Sequence, residues 1–357
     1  MLVLHATDPA TVFLSLAARS ADLTPADITT ALYDERALVR MLGMRRTMFV
    51  VPDDLVPVVQ RSSSDQVAAR LRTALVKHLA AAVDGPAEWL ADVERSVRAI
   101  LLASGGASAT ALSTAEPRLR TKLTYAEGKA YGGPTTITTR VLNLMAADGL
   151  IVRGRTRGSW TGAQYEWAPI EAWFPGGIPV LDPAAARARL VAGWLARFGP
   201  ATVADVAWWT GWNQRDTRAA LATVGAVEVH LEGAAGVALP DDMDPVPRPD
   251  PWIALLPALD PTPMGWVERD WYFPPEFKSI LFDRTGNIGP TIWCDGRVVG
   301  GWAQRPSGEV VTRLLTDIGA EQTEAVHAEA ARLQQWIGDA RVIPKFRVPL
   351  DKELGPR

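Results

Sequence analysis

The segment LHATDP, residues 4–9, puts an imidazole, a hydroxyl and a carboxylate side by side as His5, Thr7 and Asp8. On an extended stretch residues 5 and 7 point to the same side. His5 and Thr7 could therefore hold one water molecule between them and, with the imidazole neutral, draw a proton from it. Asp8 and Pro9 have a simpler reading, as a helix cap followed by proline at the first helical position, with Val12, Phe13 and Leu16 forming the buried face. These residues alone leave both readings open.

A second group of residues has the chemistry of a polyanion contact. Residues 36–46 carry Arg36, Arg40, Arg45 and Arg46 with no acid, and residues 112–160 hold eight Lys/Arg against three acids. In the helix expected over 134–147, Thr135, Thr136, Thr138, Thr139, Arg140 and Asn143 crowd the amino-terminal half. Short hydroxyl and amide side chains of this kind meet phosphates and base edges, although they also bond back to their own helix carbonyls. The hairpin that follows carries Arg153, Arg155, Arg157 and Ser159, and a basic hairpin can reach a groove or backbone. Trp160 at its tip is either packed or free to stack on a base. The nucleic-acid-binding candidates are therefore Arg45, Arg46, Thr135, Thr136, Thr138, Thr139, Arg153, Arg155, Arg157, Ser159 and Trp160, and the partner they suggest is double-stranded DNA.

The elements that must carry these groups follow a recurring order. Over 183–240 a helix stops at Gly199-Pro200, a short helix reaches a turn at Gly211, a second helix follows, and two short strands flank a Gly-Ala-Ala-Gly turn. Residues 108–169 repeat the order, with Ser108 as a cap, a basic connecting helix through 117–133 and a β-hairpin after Gly149. A partial copy fits 10–51, with a short helix at 35–42 and the strand TMFVVP. The expected fold is α+β. Its segments are a partial winged helix at 1–52, bridging helices at 53–104, a second winged helix at 105–175, a third at 176–241, and at 242–357 an antiparallel β-barrel-like domain with one helix.

Bulk properties exclude several classes. The chain has 357 residues, is 48% hydrophobic and 22% charged, and carries a formal net charge of −3, ordinary for a protein with a sizeable core. No stretch approaches the length of a membrane span, and the first residues lack a basic and then apolar leader. One cysteine, Cys294, and four scattered histidines leave no metal-ligand spacing. A cytoplasmic, nucleoid-associated monomer without metal or cofactor is expected. The charge is uneven, because residues 240–295 carry ten acids against four bases. Nine of the fourteen tryptophans fall between 194 and 302, where core packing is the expected role.

The blocks LHATDPATVFLSLAAR, LVRMLGMRRTMFVVPDDL, GSWTGAQYEWAP, ADVAWWTGW and LLPALDPTPMGW, with the later FDRTGNIGPTIWCDGRVVGGWAQR, resemble the winged-helix DNA glycosylases typified by AlkZ and YcaQ. The resemblance runs over essentially the whole chain, and the last blocks are its most specific part. It implies tandem winged-helix domains and a β-barrel around duplex DNA, with excision of bulky alkylated bases and, in some members, unhooking of interstrand crosslinks. The family places Gln-x-Gln or Gln-x-Asp ahead of Asp-Pro; here His5-x-Thr7 stands in that place, so His5 and Thr7 are the catalytic candidates. The family also carries helices ahead of this motif, so the resemblance implies either a misassigned start or a truncated first winged helix. Competing readings are a DNA-binding regulator or damage sensor without catalysis, and a protein-interaction scaffold.

Overall fold

The strands between residues 253 and 314 carry apolar side chains on both faces, and both faces are covered. The structure, a computed structural model, describes residues 1–20, 22–125 and 133–355. It divides into two units, one of Met1–Ala31, Gly158–Ala163 and Val191–Arg357, the other of Leu32–Arg157 and Gln164–Leu190.

In the first unit, Ile253–Leu256, Thr291–Cys294, Arg297–Gln304 and Val310–Leu314 pair antiparallel in that order, with a bulge between Ile292 and Trp293. Leu255, Ile292 and Val299 face the helix Ala320–Ile337, meeting its Val326, Ala330, Leu333 and Ile337. The alternate residues Ala254, Leu256, Trp293 and Val298 face Tyr272, Phe273, Leu281 and Phe282. This period-two division is what a strand with two buried faces demands. The helix Pro9–Ala17 joins the first cluster through Ala10 and Leu14. The sheet is open: the expected barrel-like closure is replaced by four strands with free ends, because two faces of packing already bury them. The unit also contains the helices Val203–Thr210 and Gln214–Thr223 and the hairpin of Val227–Leu231 with Ala234–Ala238. Thr202 and Asp205 form a capping box, Gly211 at φ 74° ends the first helix, and Asn213 caps the second.

The second unit is built on one apolar core. The helices Asp65–Leu79, Pro86–Ser104 and Thr138–Ala147 supply Leu75, Leu79, Leu90, Val97, Leu101, Val141, Leu142 and Met145. Ile151 and Trp167 join from the hairpin of Ile151–Thr156 with Tyr165–Pro169. Arg72 braces the helices from outside, holding Glu94 through two bonds of 3.0 Å and pairing with Asp148.

Three local expectations change. Residues 35–42, expected as a helix, contain the strand Leu38–Leu42, hydrogen-bonded to Met48–Pro52. Arg36 at φ 60° breaks any helical run there, and pairing with the β-rich Met48–Pro52 satisfies the backbone instead. The helix expected from Pro134 begins only at Thr138; Gly133–Thr136 is a strand paired with Lys122–Tyr125. A run of β-branched residues suits a pleated strand better than a helical first turn. The connecting helix expected over 117–133 is instead a 3₁₀ turn, Pro117–Arg120, and then that strand. Its remainder, at 126–132, lies outside the described residues.

Glu116 sets this turn. Its carboxylate accepts the Arg118 backbone N–H at 3.1 Å and both Nε and Nη2 of Arg118 at 2.8 Å. Arg118 thereby holds the Glu116 pKa at about 2, below the ordinary 4.5. A carboxyl depressed in the folded state adds stability above its unfolded pKa and loses it as pH falls toward the folded one. The thermal midpoint of Glu116→Gln should therefore lie below wild type at pH 6 and converge on it between pH 4.5 and about 2. A gap that stays constant over this window would show that charge is not what Glu116 contributes.

Candidate active site and basic surface

His5 ends the short strand Leu4–His5, and the helix Pro9–Ala17 starts after Asp8. Asp8 is extended, at φ −105° and ψ 120°, as an N-cap should be. Its Oδ1 accepts the Ala10 N–H at 3.1 Å, and its Oδ2 accepts the Lys345 N–H at 2.8 Å. Both carboxylate oxygens are thus occupied by backbone donors, so Asp8 braces the chain. Below it a void of about 10 Å³, lined in part by Asp8, Thr11, Gln304 and Asp351, has room for one water.

His5 is buried, at 8% exposure, and Thr7 beside it is half-buried. The Thr7 backbone N–H approaches the imidazole Nδ1 at 3.4 Å, a long contact that folds the ring back toward its own chain. The structure therefore brings His5 and Thr7 together, with Thr7 the more accessible of the two.

What holds this segment in place was not read from the sequence. Along the Pro9–Ala17 helix, Thr11 donates to the Ala258 carbonyl at 2.8 Å and Ser15 donates to Asp260 Oδ2 at 2.6 Å. Arg19, four residues after Ser15, closes on both oxygens of the same carboxylate at 2.9 and 2.7 Å. Asp260 is fully buried and also accepts the Thr262 N–H at 2.9 Å. Polar Ser15 and Arg19 at helical spacing on an otherwise apolar segment were the available signal, and Asp260 belongs to the block LLPALDPTPMGW.

Trp160 is half-buried. Its ring lies 5.0 Å from that of Phe13 and 5.7 Å, edge-on, from that of Trp336, so protein occupies much of its surface. Ser159 beside it is exposed, its hydroxyl 3.1 Å from that of Thr161.

In the second unit, the hydroxyls expected on one helix are distributed. Thr135 and Thr136 are exposed on the strand Gly133–Thr136, and Thr139 is exposed on the following helix. Thr138 is buried and donates to the Leu119 carbonyl at 2.9 Å, which makes it a structural hydroxyl and removes it from the surface set. Arg45 and Arg46 form the turn between Leu38–Leu42 and Met48–Pro52 with φ of 53° and 58°. Two consecutive left-handed arginines are costly for L-residues, and Arg46 is exposed. Arg155 is exposed, pairs with Asp34 and lies 5.3 Å over the Tyr33 ring; Arg157 is exposed at the hairpin end. Arg153 is drawn inward, 4.5 Å over Tyr165 and 5.6 Å from Trp167. Among the described residues no group of three His, Cys, Asp or Glu side chains could hold a metal, and no helix is long and apolar enough to cross a membrane.

Asp260→Asn removes the charge that Arg19 is paired with. Because Arg19 is partly solvated, at 28% exposure, we expect a loss of about 2 kcal/mol, below the range for a fully buried pair. It would be read as a lowered thermal midpoint; a shift equivalent to less than about 0.5 kcal/mol would make the contact dispensable.

The model of the family described as DNA glycosylase AlkZ-like matches residues 1–336. Among solved structures, the Streptomyces sahachiroi DNA glycosylase AlkZ is similar to this chain, with a TM-score of 0.70 at 20% identity over 95% of this chain and 90% of that one. No curated protein matches the sequence.

Proposed function

The chain belongs to the AlkZ-like DNA glycosylase family, and from that premise we propose that it hydrolyses the N-glycosidic bond of bulky alkylated or crosslinked bases in duplex DNA. In this reading its helix–helix–hairpin segments act as winged-helix modules along the duplex, and His5 and Thr7 are the catalytic residues.

The supporting observation is the bracing of the segment that carries them. Asp8 is held by two backbone N–H groups and the helix after it is pinned by Asp260. Groups that position a water gain most from such a rigid mount. Alkylation at a ring nitrogen makes the base a cationic leaving group, so the enzyme's task is to support an oxocarbenium-like sugar and to deliver water to it. Thr7, the more accessible member, orients the water. The His5 imidazole, in its neutral form, takes the proton of that water. A protonated imidazole would repel the developing cation, so the neutral form is required.

The burial of His5 favours a second reading, a DNA-binding protein in which this imidazole is only packed. Variants at His5 separate the two. On duplex containing 7-methylguanine, His5→Ala should lower excision at least about 100-fold, the scale of a lost general base, with duplex binding retained. His5→Gln, which restores the residue the family carries here, should keep measurable excision. Wild-type rates should fall on acidification, as the imidazole is protonated. Rates that rise on acidification, or excision untouched in His5→Ala, would remove His5 from the chemistry.

For the basic surface, Arg155 and Arg157 supply phosphate contacts. Replacing both by Ser should weaken binding to undamaged duplexes irrespective of sequence. The slope of log K against log salt should shrink by up to about 1.8, at about 0.9 for each phosphate that is no longer neutralised. An unchanged slope would assign these arginines to the protein surface alone.

A further inference from the structure

Buried arginines ordinarily find carboxylates or carbonyl oxygens. In this chain Arg347, largely buried, does so with Asp351, and the half-buried Arg72 with Glu94 and Asp148. Arg40 does not. It sits on the strand Leu38–Leu42 at 3% exposure, with Nε and Nη2 both enclosed and lacking any hydrogen-bond partner.

A second guanidinium is carried by a strand that packs against Leu38–Leu42. Arg153, on the strand Ile151–Thr156, has its Nε enclosed and unpartnered, and its Nη2 makes a single bond to Asn143 Oδ1 at 3.2 Å. Burial first, and then the charge of Arg40, hold its pKa below the ordinary arginine value. Burial pushes the neighbouring Tyr165 hydroxyl up against the pull of both arginines, so it stays a neutral phenol and offers no counter-charge. Among the described residues neither arginine has a carboxylate partner. Arg153 has the faces of Tyr165 and Trp167 as partial compensation. Desolvation and like-charge repulsion both oppose this pair of cations, so the arrangement calls for an anion with several acceptor oxygens.

We infer that Arg40 and Arg153 form a binding site for a phosphate group, with the Asn143 side chain as a neutral neighbour. A guanidinium fork matches the spacing of two oxyanion oxygens, and two forks can share one tetrahedral anion. The site itself rests on the two arginines. The choice of phosphate over other oxyanions rests on the duplex-DNA reading above. The phosphate is either a free anion or a phosphodiester of the duplex.

The test compares thermal midpoints of the full chain in inorganic phosphate and in sodium chloride at matched ionic strength. Wild type should gain about 2–4 °C in about 10 mM phosphate, the scale of a ligand present well above its dissociation constant. Arg40→Met and Arg153→Met should each lose that gain. No phosphate-specific rise in wild type overturns the site, as does a rise that Arg153→Met retains. If Arg40→Met fails to fold, Arg153→Met and the wild-type comparison still decide. Binding of undamaged duplex then identifies the source. A salt slope smaller by about 0.9 in Arg153→Met assigns the phosphate to the DNA backbone; an unchanged slope with the phosphate gain abolished assigns a free anion. Excision of 7-methylguanine by wild type is read separately, so that its absence would end the glycosylase reading while the phosphate gain is judged by itself.

Discussion

A carboxylate with no exposure to water governs the amino-terminal part of this protein. Asp260 is accommodated in the interior because Ser15, Arg19 and the Thr262 backbone surround it with donors. That requirement fixes the rotation and height of the Pro9–Ala17 helix against the segment that follows Leu256. Once the helix is fixed, Asp8 at its start can reach the Lys345 N–H only in one geometry. The position of His5 and Thr7 follows from that chain of constraints.

The same physics makes the acidic residue of the His-x-Thr-Asp segment a brace. A carboxylate whose two oxygens accept backbone N–H groups gives up its reach toward a substrate in exchange for rigidity.

The second unit handles charge differently. Around its apolar core, Arg72, Arg118 and Arg155 lie at the margin, paired with Glu94, Asp148, Glu116, Asp92 and Asp34. Arg155 stays outside over Tyr33, whereas Arg153, two residues earlier, is drawn in over Tyr165, the register of the strand shifting between Arg153 and Thr156. The hairpin therefore does not present a uniform row of cations. Its basic side chains divide by depth, and that division decides which of them meet solvent.

Much of the architecture was legible because its causes are local. Asp8 and Ser108 cap helices with their own side chains, Gly211 stops one, and the hairpin over 227–238 follows from short apolar strands around glycine. Each of these involves atoms within one or two turns of the chain, which sequence spacing describes directly. The residues that needed the tertiary structure are those whose partners are far away. Leu38–Leu42 is a strand because Met48–Pro52 completes its hydrogen bonds, Thr135 and Thr136 leave the helix because Lys122–Tyr125 pairs with them, and the sheet stays open because helices and aromatics cover both faces. Arg19 meets Asp260 across 241 positions, and Arg40 is buried by elements no periodicity connects to it. By itself the sequence determined the caps, the helix–helix–hairpin order and the chemical types at residues 5–8. Tertiary packing decided which charges are desolvated and what they face, because the cost of burying a charge depends on neighbours that only folding brings together.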